Sequence, residues 1–161
     1  IEIQAVTIVS DGGPDVDTNA TLCPNGRPDG LFRNDAAISI TAASLNPTSS
    51  IDPFPASVEQ CTITYLKPAD DPGMPVIEQL TIFPNCTLSG GSSTCSVTLI
   101  DITRKEKFWD DILTEFNASN IVPTLPKRYV AAYDCRYLNH FGKSGRFKVE
   151  LEIFLADFNK C

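Results

Sequence analysis

The sequence has one histidine, one methionine and one tryptophan. A lone His140 leaves no histidine pair for a metal centre. No serine sits in a G-x-S-x-G elbow that would make His140 a triad base. No two cysteines have C-x-x-C spacing and none precedes a histidine, which argues against a zinc ribbon or attached haem. No apolar run approaches the roughly 20 residues that cross a bilayer, so a membrane-spanning helix is not expected. Basic residues are in deficit, 13 against 20 acidic, for a net charge of −7. Such a surface repels phosphate backbones, and the basic run Arg104-Lys105-Glu106-Lys107 is broken by a glutamate, so nucleic acid is not an expected partner. The only methionine is Met74, and the chain opens directly on a strand-like segment. That reads as a mature form whose leader has been removed, or as a fragment.

What is present is β-pattern and cysteine. The 161 residues are 42% apolar and 20% charged, which fits one domain over 1–161 with a proper core. Six widely spaced cysteines, Cys23, Cys61, Cys86, Cys95, Cys135 and Cys161, argue for three disulfides in an oxidising compartment, extracellular, at the cell surface or periplasmic. Cys86 and Cys95 flank a Gly/Ser loop and are easily bridged. The other four allow three pairings. Strand placement favours Cys61–Cys135, which leaves Cys23–Cys161.

The last third carries the clearest alternation. Tyr129, Ala131, Tyr133, Cys135 and Tyr137 form one apolar set, and Phe147, Val149, Leu151, Ile153 and Leu155 another, with charges between. Both sets are odd-numbered, so facing one core requires an odd-length turn of three or five residues with a positive-φ glycine around 141–145. Upstream, strands are expected at 1–10, 36–44, 58–67 (Cys61, Ile63 and Tyr65 inward, Val58, Gln60, Thr62 and Thr64 on the opposite face), 76–84 and 95–103. An Asp/Gly/Pro-rich loop spans 11–34. Pro47, Pro53 and Pro55 exclude a central strand between 45 and 56. Thr103-x-x-Glu106 resembles a capping box, and Phe108, Ile112 and Phe116 recur at helical spacing, so one helix is expected at about 104–117, over one end of the sheets. The expectation is an all-β, two-sheet antiparallel sandwich of about seven strands with one short helix before the last hairpin.

Several residues invite a functional reading. Asp15-x-Asp17-x-Asn19, with Asp11 nearby, has the spacing of the first ligands of a calcium loop. The later positions, Ala20 and Gly26, depart from that template, and an Asx-rich turn explains the same residues. Asn19, Asn85 and Asn117 head glycosylation sequons if the source is eukaryotic. The neighbouring acid pairs Asp70-Asp71 and Asp110-Asp111 diverge along the chain, as turn and helix-surface charges do. No catalytic constellation emerges and no cofactor is implied, calcium apart.

Ala131-x-Tyr133-x-Cys135 resembles the tyrosine corner of immunoglobulin domains, in which the tyrosine stands two residues before the second sheet cysteine. With Ala156-Asp157-Phe158 closing an aromatic-rich last strand, the chain resembles immunoglobulin-like or fibronectin type III-like modules of secreted and cell-surface proteins. The resemblance implies a topology and carries little about activity. The expected role is non-enzymatic: a secreted structural or interaction protein, a subunit of a filament, surface layer or adhesin, with protein partners or self-association. The first strand, with aliphatics such as Ile1, Ile3, Val6 and Ile8, is the candidate for lending to a neighbour's sheet edge. The alternative is a calcium- or glycan-binding module acting through the 11–34 loop.

Overall fold

A computed structural model of the chain describes residues 1–19, 31–48, 50–68 and 74–157. Its elements, in order, are β1 (Glu2–Ser10), β2 (Asp15–Asp17), β3 (Asn34–Ala43), β4 (Ala56–Leu66), β5 (Leu80–Ile82), β6 (Cys86–Leu88), β7 (Gly91–Ile100), α1 (Ile102–Ser119), β8 (Lys127–Leu138) and β9 (Ser144–Ala156). The described chain is mostly β with one helix and two sheets. The smaller sheet runs β1-β3-β7 and is antiparallel throughout. The larger runs β2-β9-β8-β4, with β5 and β6 sharing the far edge of β4.

The core fills the space the two sheets share. Ile38 and Ile40 of β3 and Val97 and Leu99 of β7 join Cys61, Ile63, Tyr129, Ala131, Tyr133, Ile153 and Leu155 of the larger sheet, all buried. The terminal hairpin follows its sequence pattern. Tyr133 faces Val149 and Leu138 faces Ser144, so Asn139–Lys143 is a five-residue turn, with Gly142 at φ 80. The Asn139 carboxamide oxygen accepts from the N–H groups of Phe141 and Lys143, both at 2.9 Å, which folds the tip on itself. Tyr137 lies directly opposite Gly145, and a Cβ there would run into its ring. The glycine thus lets the tyrosine lie across the strand and stack on Phe147, 6.5 Å away.

Elsewhere the structure departs from the sequence reading, each time for a local reason. The 11–34 segment contains β2, which pairs parallel with the end of β9, so the architecture is not antiparallel throughout. Three residues are too few to show a period. Val58, expected outward, is buried because Glu59 is an extra residue between Val58↔Tyr137 and Gln60↔Arg136, and that bulge switches the inward parity along β4. The strand expected over 76–84 shrinks to β5, and the loop after it contributes β6. The described residues form nine strands, three of only three residues. The helix begins two residues before its expected start. Asp101, not Thr103, caps it, accepting from the Arg104 N–H at 3.0 Å and from the Arg104 guanidinium at 2.7 Å. Lys105 is buried with Phe108 and Ile112, while Leu113 stays exposed. The Lys105 ammonium donates to the Phe32 carbonyl, and Phe108 meets Tyr129 edge-on. The helix therefore closes the mouth where β3 begins and β7 ends.

Three tyrosines cross the interior. The Tyr65 hydroxyl donates to the Leu99 carbonyl at 2.6 Å and the Tyr133 hydroxyl to the Thr98 carbonyl at 2.9 Å, both on β7. The Tyr129 hydroxyl donates to the Pro75 carbonyl. Leu99 is the extra residue of a second bulge, between Asp35↔Thr98 and Asn34↔Ile100, so its carbonyl is outside the ladder and Tyr65 satisfies it.

Burial pushes the Tyr65 phenol far above its ordinary value; Arg104 opposes this and Asp101 adds to it. Burial does the same to Tyr133, with small contributions from Tyr65 and Asp35. Unfolded tyrosines ionise near about pH 10. The stability these two contribute is thus fully present below that pH and lost as pH rises above it toward the folded values. Denaturation from neutral pH upward is expected to show constant stability to about pH 9 and a fall beyond it, with phenolate absorbance rising as the chain unfolds. Replacing Tyr65 and Tyr133 by Phe should lower stability at neutral pH, about 1–3 kcal/mol for each carbonyl left unpaired, and flatten the alkaline fall.

Candidate functional site

The residues singled out in the sequence fall at separate places. Among the cysteines, Cys61 and Cys135 are joined, with Cα atoms 4.0 Å apart. They face each other on β4 and β8, so the bridge ties neighbours within one sheet. In the immunoglobulin pattern it would tie the two sheets. The Tyr133 hydroxyl likewise reaches Thr98 on the other sheet, not the chain just upstream as a tyrosine corner does. Cys86 and Cys95 are also joined, 5.6 Å apart at Cα. Cys86 pairs opposite Val58 and Cys95 opposite Ile38, so this bridge clasps β6 of the larger sheet to β7 of the smaller. Cys23 and Cys161 lie outside the described residues. Two buried or half-buried disulfides fit an oxidising environment.

The acidic candidates do not assemble as the spacing implied. Asp11 and Asp15 are exposed, while Asp17 is buried. The Asn19 N–H donates to Asp17 Oδ1 at 3.3 Å, and its carboxamide donates to Asp157 Oδ2 at 3.5 Å. β2 sets this up, because Asp17 pairs with Ala156, the residue before Asp157. Asp157, over 130 positions away in sequence, is the member that local spacing had no means of finding. Among the described residues, no three His, Cys, Asp or Glu side chains converge on one point. Of the sequons, Asn85 is exposed in a left-handed turn at φ 50 and Asn117 is exposed on the helix. Asn19 is half-buried, its amide engaged with Asp157.

His140 sits at the hairpin tip. Its backbone N–H donates to the Pro53 carbonyl at 2.8 Å and its ring lies edge-on to Phe141. Asp110 and Asp111 are on the helix surface, the latter paired with Lys107 at 2.8 Å. Asp70 and Asp71 lie outside the described residues.

The strand-lending candidates form one coherent feature. Among the described residues β1 is the edge of the smaller sheet, paired only with β3. Ile3, Val6 and Ile8 rest against the core but are only partly buried, and Gln4 is an extra residue that breaks the ladder between Ile3 and Ala5. Ile1 lines a groove of about 440 Å³ with Leu45, Ile51, Pro53, Phe141 and Lys143. Leu45, Ile51 and Phe141 are 71%, 63% and 57% exposed. An edge strand thus begins beside an apolar surface at the mouth opposite the helix. The sequence named the strand, but not the groove, which loops distant in sequence build together.

No family model matches the chain, and no curated protein does. Among solved structures it is similar to the crystal structure of a putative ApaA protein from Bordetella pertussis. That likeness has a TM-score of 0.39 and 10% identity over 94% of each chain.

The two bridges should differ in their effect on stability. Loop closure over 74 residues is worth about 4 kcal/mol and over nine about 3 kcal/mol. Denaturant titration of the Cys61/Cys135 and Cys86/Cys95 double alanine variants should therefore show the larger loss in the first.

Proposed function

We propose that this protein is a non-enzymatic structural subunit of an extracellular assembly, in which β1 is exchanged between neighbouring copies. The observation that carries this is the seating of β1. It completes an antiparallel pair with β3, yet its aliphatics are only partly buried and its start adjoins the apolar groove. A strand held mainly by its ladder is replaceable by the same strand from another copy, since an identical sequence restores every main-chain bond. The groove at its start would receive the incoming segment's leading apolar residue. The disulfides support a site of action outside the cytosol, and the two bridged pairs leave β1 untethered, the other two cysteines lying outside the described residues.

The test is removal of residues 1–9 followed by light scattering and electron microscopy. The full chain is expected to form oligomers or filaments. The truncated chain should stay monomeric, and added peptide 1–10 should bind it. Assembly that survives the truncation unchanged would eliminate strand exchange.

A second reading rests on Asp17, Asn19 and Asp157, which together offer carboxylate and carboxamide oxygens of the kind calcium takes. Calorimetry with calcium should then show binding that disappears in Asp17→Asn/Asp157→Asn and persists in Asp11→Asn/Asp15→Asn. Absence of heat in the parent chain removes this reading.

A further inference from the structure

The outward face of the larger sheet carries a grid of polar side chains. Across β4, β8 and β9 one row reads Gln60, Arg136, Arg146 and the next Thr62, Asp134, Lys148, each in register with its neighbour. Arg136 and Arg146 are therefore directly opposed. Like charges at such positions are destabilising, and an outward face imposes no packing need that would demand them. Asp134 offsets only part of this. Its Oδ2 accepts from Arg146 at 3.2 Å, while Arg136 has no ion-pair or hydrogen-bond partner among the described residues. Two cations and one anion line this corner, on a chain whose net charge is −7. The side chains enclose a depression of about 90 Å³, lined by Gln60, Thr62, Asp134, Arg136 and Arg146. That is roughly three waters' worth of space, enough for one small group.

We propose that this depression binds the carboxylate of an acidic sugar. The Arg136 guanidinium, beside that of Arg146, offers paired N–H donors in the planar fork that a carboxylate matches bidentately. Asp134 orients Arg146 from one side. The Gln60 amide and the Thr62 hydroxyl supply the neutral donor and acceptor groups that sugar hydroxyls need. The global charge selects the ligand class. A net −7 repels any polyanion at long range, so a carrier with a single charge is favoured over a nucleic acid or a heavily sulfated chain. Proximity to solvent makes the binding sensitive to salt. The site is distinct from β1 and the groove at its start, and it stands or falls independently of assembly.

Calorimetry or NMR titration of the full chain decides the matter, with glucuronate, glucose and sulfate as probes at low ionic strength. Glucuronate is expected to bind and shift the resonances of residues 60–62, 134–136 and 146–148, with glucose silent and sulfate weaker. Arg136→Gln and Arg146→Gln should each weaken glucuronate by roughly tenfold or more, as loss of a charge-assisted pair does, while Arg33→Gln leaves it unchanged. Sulfate binding as tightly as glucuronate would overturn the sugar assignment. Silence from glucuronate, or an Arg136→Gln variant that binds as the parent does, would overturn the site.

Discussion

The hydroxyls of Tyr65 and Tyr133, carried by the larger sheet, donate across the interior to main-chain carbonyls of β7 in the smaller. Apolar contact between two sheets is tolerant of sliding; a hydrogen bond to a fixed carbonyl is not. These bonds therefore set where one layer sits on the other. They also explain why the Leu99 bulge is tolerated, since the carbonyl it removes from the ladder finds a partner from the opposite layer. The phenols must stay protonated to donate, and the burial that makes them effective is also what raises their pKa.

Around that interior the two flanks are closed by different means. On one flank, β6 and β7 are clasped covalently through Cys86 and Cys95. On the other, β1 of the smaller sheet runs beside β9 of the larger, and the chain crosses between the sheets at residues 11–14 to form β2. That second closure consists of main-chain bonds and a few half-buried aliphatics. The asymmetry is why exchange is assigned to β1 and not to the short edge strands β5 and β6. The exposed charges of β9, Arg146, Lys148, Glu150 and Glu152, blunt the neighbouring edge against indiscriminate pairing.

The terminal hairpin, down to the parity of its loop, was legible in the sequence because its strands of twelve and thirteen residues let the period-two signal accumulate. The helix was legible from Phe108 and Ile112, though not its cap. Asp101 and Thr103 both offer a capping oxygen, and only the tertiary position of Arg104, whose guanidinium also donates to the Glu78 and Gln79 carbonyls, decides between them. Strands of three residues carry no period, so β2 and β6 left no local mark, and β5 was legible only as part of a longer strand expected over 76–84. Bulges at Gln4, Glu59 and Leu99 reset parity in mid-strand, which is why Val58 was assigned to the wrong face. At the functional level, Asp157 beside Asn19, the groove against Ile1 and the opposed arginines all arise from residues distant in sequence that pairing brings together.

Ile1 stands at one mouth of the structure and Asp157 at the other, with β1 and β9 both running from the first toward the second. Tension applied between these two points draws β2 one way and its parallel partner β9 the other. Parallel strands pulled in that sense load their hydrogen bonds simultaneously in shear, whereas a hairpin opened from its end yields one bond at a time. The Cys61–Cys135 bridge, in the middle of the β4–β8 ladder, would hold the centre of the larger sheet together while the periphery stretched. Load entering at these two points would thus fall first on the short β2–β9 pair.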